Sequence, residues 1–140
     1  MGNRAMEESF VIANKVEELA GLASKIEGLA EKWGIPVPVS MNINLVLEEA
    51  ISNIIFYAFN DSARHDIKVT LSLAGDNLVL KIEDDGIPFD PTSAKKPDIS
   101  LPAEDRPIGG LGIFLISKIM DNVSYKREKD KNILLMKKKI

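Results

Sequence analysis

The run Leu45-Val46-Leu47-Glu48-Glu49-Ala50-Ile51-Ser52-Asn53-Ile54-Ile55-Phe56-Tyr57-Ala58-Phe59 decides how the rest of the chain is read. It is apolar almost all round and long enough for about four helical turns, so it reads as a buried helix. Buried helices rarely carry charge without a partner or a task. Glu49 and Asn53 nevertheless stand four apart, which puts both side chains on one helix face. A carboxylate beside a carboxamide offers hard oxygens of the kind Mg2+ accepts when phosphates supply its other ligands. The carboxylate can instead take a proton from an attacking hydroxyl or water. Such a pair also serves as plain helix support worth about 0.2–0.5 kcal/mol, with Glu48 and Ser52 extending a solvated stripe. The helix alone leaves both readings open.

Around this helix the totals are those of an ordinary globule. The 140 residues fit one domain, 1–140, with a core that needs no disulfides. A hydrophobic fraction of 45% and a charged fraction of 28% are typical of soluble proteins. The absence of cysteine excludes a thiolate metal site. A formal charge of -3 with both signs interspersed argues against a basic nucleic-acid face. No apolar run reaches the ~20 residues of a membrane span, and no basic leader precedes an apolar core. The expectation is a cytoplasmic protein that binds neither nucleic acid nor membrane.

Upstream, residues 1–8 read as disordered and Phe10 to Ile12 as a short edge strand. Asn14 and Glu17 have capping-box spacing, and Leu19, Leu22, Ile26, Leu29 and Trp33 form one helical stripe behind them. Gly34, Pro36 and Pro38 end that helix, and Ser40 caps the next, which stops near Asn60-Asp61. Gly21 and Gly28 inside the first helix imply close packing there. Downstream comes a polar loop whose His65 reads as solvated. Ile67, Val69, Leu71 and Leu73 then alternate with polar residues as a half-buried strand. Gly75-Asp76-Asn77 turns the chain into a second strand through Leu78, Leu80 and Ile82. Thr92 to Arg106 is long, rich in proline and without periodicity, as functional loops are. A helix from Ile113 to Met120 and two strands follow, Val123 to Arg127 and Ile133 to Lys138. The lysines at 137 to 139 keep a sheet edge soluble. This order predicts an α/β (α+β) two-layer sandwich, helices on one face of a mixed, mostly antiparallel sheet.

Two further segments bear on Glu49 and Asn53. Gly109, Gly110 and Gly112 stand just before a helix, where free N–H groups and the helix dipole favour an anion. No Lys-Ser/Thr follows, so this is not a Walker loop. Asp84 lies where a strand gives way to a turn, and a carboxylate there can accept a hydrogen bond from an exocyclic amine such as that of adenine. Gly86 removes a side chain that would crowd a flat ring. Each segment has an ordinary reading too, as a helix start and a turn.

Together and in this order, the pieces resemble the anti-sigma factor serine/threonine kinases, within the ATPase superfamily that includes histidine-kinase catalytic domains, gyrase and Hsp90. Glu49 to Asn53 is similar to the family's N box, Asp84 to Pro91 to its first glycine box, and Arg106 to Gly112 to its second. The resemblance runs from about Phe10 to the C-terminus. It implies the Bergerat ATP-binding fold, with ATP and Mg2+ as cofactors. By resemblance Asn53 holds Mg2+, and Glu49 is the base or orients the attacking hydroxyl. Asp84 binds the adenine amine with Gly86 beneath the ring, and Pro88 and Phe89 follow in the same box. Ile108, Gly109, Gly110, Leu111 and Gly112 line the phosphates, residues 92–108 form the ATP lid, and Arg106 is the candidate cation near the terminal phosphates. Pro88 departs from the glycine of many relatives, and Tyr57 stands where some N boxes carry histidine. The implied activity is transfer of phosphate to a STAS-type anti-anti-sigma protein, with a sigma factor as the other partner and a homodimer compatible with the likeness. A nucleotide-holding module without transfer and a detached histidine-kinase catalytic domain are the alternatives.

Overall fold

The computed structural model describes residues 6–93 and 110–140. Its elements are β1 (Met6–Ala13), α1 (Glu18–Trp33), α2 (Val37–Tyr57), β2 (Asp66–Ala74), β3 (Asn77–Asp84), a short 3-10 turn (Pro91–Ser93), α3 (Gly110–Ile119), β4 (Asn122–Glu128) and β5 (Lys131–Lys139). The five strands form one sheet in the order β1-β2-β3-β5-β4. All four ladders are antiparallel, so the mixed sheet expected from the sequence is antiparallel throughout.

Strand alternation decides which face carries the helices. Ile67, Val69, Leu71 and Leu73 of β2 are buried, as are Leu78, Leu80 and Ile82 of β3 and Leu134 and Met136 of β5. They share one core with Leu22, Ile26 and Leu29 of α1, with Ile43, Val46, Leu47, Ala50, Ile51 and Ile54 of α2, and with Ile116 of α3. The other face is laced by polar pairs, Ser9 with Thr70 and Ser72 with Glu7, each at 3.0 Å. The stripe predicted for α1 is the one it buries. Gly34 ends that helix at φ 73°, and the Ile35 N–H reaches back to the Ala30 carbonyl at 2.8 Å, a Schellman-type stop.

Several local expectations are corrected. Met6, Glu7 and Glu8 are not disordered but pair with Leu73, Ser72 and Leu71, because β1 continues the ladder that Phe10 to Ile12 begins. The Asn14 side chain caps nothing in α1. It accepts the His65 N–H at 2.9 Å, and Glu18 instead accepts the Ala13 N–H. The central helix starts at Val37 with Pro38 in its first turn, where a missing N–H costs nothing, so Ser40 lies inside it and donates to the Val37 carbonyl. It ends at Tyr57, short of Asn60. Nor is it buried all round, since Met41, Leu45 and Phe56 are exposed. The lysines at 137 to 139 sit on an inner strand between β3 and β4, and Lys138 donates to the Ile119 carbonyl at the end of α3.

Two glycines of α1 are not required by packing, and one tight turn lacks a glycine. A Cβ at Gly21 or Gly28 would meet nothing within 4 Å, so no close packing explains them. The β4–β5 turn uses Lys129 at φ 52° and Asp130 at φ 61°, a left-handed pair that favours Asn-Gly. Gly28→Ala and Asp130→Gly are each expected to stabilise the fold by about 0.5–1 kcal/mol in urea unfolding.

Candidate functional site

The site is built on the last residue of β3. Alternation turns Asp84 to the helix side of the sheet, in phase with Leu80 and Ile82, and leaves it only 3% exposed. Its Oδ1 accepts the Gly86 N–H at 2.9 Å and Asn132 Nδ2–H at 2.9 Å. Burial pushes the carboxyl above the usual carboxylate range, against the pull of Asn132, Gly86 and Arg127 and with a smaller push from Asp85.

Asn132 stands opposite Asp84 across the β3–β5 ladder and is 4% exposed. Besides Asp84, its Nδ2 donates to the Ile87 carbonyl at 2.8 Å. Its Oδ1 accepts the Phe89 N–H at 3.2 Å, the Tyr125 hydroxyl and Arg127 Nη1 at 3.2 Å. Arg127 Nη1 also donates to the Gly86 carbonyl at 2.7 Å. Acceptors on one side and donors on the other fix which way the amide points. The sequence expectation, which begins the last strand at Ile133, gives this residue no role in the site. The signal was present: position 132 has the same inward phase as Leu134 and Met136, which makes it a polar residue on the core face.

The end of α2 closes on the same segment. The Ala58 carbonyl accepts the Ile87 N–H at 2.7 Å. A Cβ on Gly86 would lie 2.3 Å from that carbonyl oxygen and 2.8 Å from the Ala58 Cβ. Gly86 is therefore demanded by the approach of α2. The expectation that it clears space for a flat ring is corrected in this respect, since Ala58 occupies the direction its side chain would take. One residue back, Tyr57 stacks on Phe89 with ring centroids 6.1 Å apart and planes 28° apart. Glu49, Asn53 and Tyr57 recur every four residues and so share a stripe that drifts about 40° per step. Asn53 is buried and Glu49 half-buried. Pro88 is exposed between Ile87 and Phe89.

Gly110, Leu111 and Gly112 are the first residues of α3 rather than a loop before it, and α3 packs against α2. Their N–H groups belong to the turn that has no intrahelical acceptors, which suits an anion. Arg106, Ile108 and Gly109, with most of the lid, lie outside the described residues. Among the described residues no three or more His, Cys, Asp or Glu side chains gather as a metal cage. One amide oxygen at Asn53 beside Glu49 fits Mg2+ carried by phosphates, which usually takes only one or two protein ligands. A cleft of about 570 Å³ runs between α1 and α2 past Met41, Leu45 and Glu48 and touches neither Glu49 nor Asn53. A second, about 450 Å³, reaches Asp84 from the side of Arg64 and His65.

His65 is not the solvated histidine expected. Nε2 meets Asp61 Oδ1 at 2.8 Å, Nδ1 meets Asp85 Oδ1 at 3.0 Å, and the ring stacks on Phe59 at 4.4 Å. The Asp61 hydrogen bond, with help from Asp85, raises its pKa above the ordinary 6.5 against the opposing effect of burial. Asp61 lies four residues before it in the same polar loop, but Asp85 and the Phe59 stack depend on how the loop folds.

The described residues thus form an antiparallel sheet with helices on one face, a buried acid at the end of a central strand and an acid–amide pair on the helix beside it. The model of the histidine kinase-like ATPase domain matches residues 12–138, and the chain belongs to that family. It is 28% identical over 130 residues to a serine-protein kinase RsbW of Bacillus cereus, covering 90% of this chain and 81% of the relative. The serine-protein kinase RsbW of Bacillus thuringiensis subsp. konkukian matches with the same figures. The resemblance to the anti-sigma factor serine kinases read from the boxes therefore holds. The fold superposes at TM-score 0.69 and 10% identity on a Mycobacterium tuberculosis structure of RsbU and RsbW domains, covering 96% of this chain and 32% of that one. A histidine kinase domain of a blue-light-activated kinase from Erythrobacter litoralis matches at TM-score 0.52 and 17% identity, covering 89% and 60%.

Gly86→Ala is expected to cost about 1–3 kcal/mol in urea unfolding, because the clash is with backbone that cannot swing away. The raised pKa of His65 gives a pH signature. Its contribution is complete below 6.5 and is lost as pH rises through the higher folded value. The melting temperature is expected to fall as pH rises above about 6.5, and His65→Ala to flatten that descent.

Proposed function

We propose that the chain is a Mg-ATP-dependent serine/threonine protein kinase of one ATPase domain. It acts in the cytoplasm as an anti-sigma factor and phosphorylates a STAS-type anti-anti-sigma protein. The observation that carries the reading is the stripe Glu49-Asn53-Tyr57, which ends on Phe89 in the same segment that Asp84 and Asn132 hold. One helix so links the elements suited to the base, the metal-bearing phosphates and the purine. The matched relatives are serine-protein kinases, which supports serine or threonine over histidine as acceptor. No helix among the described residues is long and apolar enough to cross a membrane, which is compatible with this setting.

In this reading Asp84 accepts the exocyclic amine of adenine, and Asn53 offers its side-chain oxygen to Mg2+. The ion supplies charge neutralisation between the phosphates. Glu49 takes the proton of the acceptor hydroxyl as its oxygen bonds to the γ-phosphorus and the bond to the ADP oxygen breaks. Arg106, Ile108 and Gly109 to Gly112 surround the phosphates, with residues 92–108 as the lid. The phosphorylated partner gains about -1.5 to -2 charge, which weakens its hold on the kinase and frees the kinase to recapture the sigma factor.

The test is labelled Mg-ATP with STAS proteins encoded nearby. Glu49→Ala is expected to lower transfer by about 10²–10⁴-fold while ATP binding persists. Asn53→Ala is expected to weaken Mg-dependent ATP binding, and the label on the partner to survive acid. Tight ATP binding without any transfer by the wild type would reduce the protein to a binding module. Acid-labile label would make it a histidine kinase.

A further inference from the structure

Asn132 has no part in the boxes, yet it is the most connected side chain around Asp84. It is buried, and it joins four segments: β5 on which it sits, Asp84 at the end of β3, the Ile87–Phe89 turn, and Tyr125 and Arg127 on β4. Such saturation goes beyond what packing requires of a residue that an apolar side chain could replace.

The consequence lies in the carboxylate. Among the described residues both hydrogen bonds to Asp84, from Gly86 N–H and Asn132 Nδ2, end on Oδ1. No buried side-chain oxygen or nitrogen among the described residues is sealed away without a partner. With Oδ1 occupied twice, Oδ2 is the oxygen left to meet a ligand, and the plane of the carboxylate is set. An oxygen so held accepts from a 6-amino group. A 6-oxo purine presents an acceptor there, with its N–H donor one ring position away at N1. A carboxylate free to turn can reach that N1–H, whereas a clamped one cannot.

We propose that Asn132 is a specificity-determining positioning residue, which clamps the Asp84 carboxylate so that the site selects 6-amino over 6-oxo purine nucleotides. The inference rests on the nucleotide reading above. Asn132 acts through Asp84, and Tyr125 and Arg127 act through Asn132. Its Nδ2–H also favours the charged form of a carboxyl that burial drives the other way.

The test titrates the whole chain with Mg-ATP and with Mg-inosine triphosphate, which carries a 6-oxo purine, by calorimetry across pH. Asn132→Leu is expected to weaken ATP by about tenfold and inosine triphosphate by much less, so that the preference for ATP collapses. The pH below which ATP binding fails is expected to move up by about one unit, because the charged carboxylate has lost a donor. Tyr125→Phe removes one donor to Asn132 and keeps the fold, and about a twofold fall in preference is expected of it even where the leucine variant does not fold. A proportional loss of both nucleotides in these variants, with an unmoved acid limb, would leave Asn132 structural and overturn the inference alone. A wild type without preference for ATP, or one whose preference survives Asp84→Asn, would overturn the nucleotide reading and the inference together.

Discussion

A carboxylate held in an apolar layer organises this fold. Leaving Asp84 unpaired beneath the helices would cost several kcal/mol. The chain offsets that with two donors on one oxygen, drawn from the turn after β3 and from β5. The second donor is itself held by β4 through Tyr125 and Arg127. Three strands are therefore in register because of one acid. A slip of a single residue in β5 would turn Asn132 to the outer face and leave both groups buried without partners. The polar network specifies the pairing that the apolar residues around it merely permit.

The helix side depends on the same point. α2 supplies much of the core, but its directional contacts with the site lie at its end, where Ala58 bonds Ile87 and leaves no room for a side chain on Gly86. Tyr57 adds a ring stack against Phe89. Helix and turn are thus fixed at Gly86, Ile87 and Phe89, and Glu49 and Asn53 are carried on a stripe whose direction is set from that end. Apolar packing elsewhere along α2 tolerates variation, as exposed Met41 and Phe56 indicate. The contact at Gly86 does not.

These features explain which parts of the molecule were legible in the sequence. Period-two alternation in β2 and β3 and the stripe of α1 have a direct physical cause in burial, and the two-layer architecture follows from their order. The caps differ from expectation because Ser40 lies inside its helix and donates to Val37, while Asn14 has a good local candidate but reaches across to His65. A local pattern cannot report a contact whose other half is about fifty residues away. Asp84 could be placed as an acid at the end of an apolar strand before a glycine turn, where the structure buries it. The reason for that glycine could not, because the Ala58 carbonyl against it belongs to another element. Asn132 went unread for the opposite reason: its position on the inner phase was visible, but the adjoining Lys131 and Asp130 gave it the look of a turn.

The neighbouring acids Asp84 and Asp85 show how a turn signal becomes a site. Consecutive residues at a strand end point to opposite sides, so one carboxylate enters the core and the other leaves it. The inward one is met by neutral donors, Gly86 N–H and the amide of Asn132, which preserve a carboxylate able to accept from a ligand. The outward one is met by a histidine that also binds Asp61, in a clamp tying the end of α2 to the end of β3. A cation placed against Asp84 in the same way would satisfy it more fully and neutralise its charge. Arg127 is the nearest approach to that, and its guanidinium is directed to the Gly86 carbonyl and Asn132 rather than to the acid. The division, an ion pair for Asp85 and neutral donors for Asp84, follows from backbone alternation.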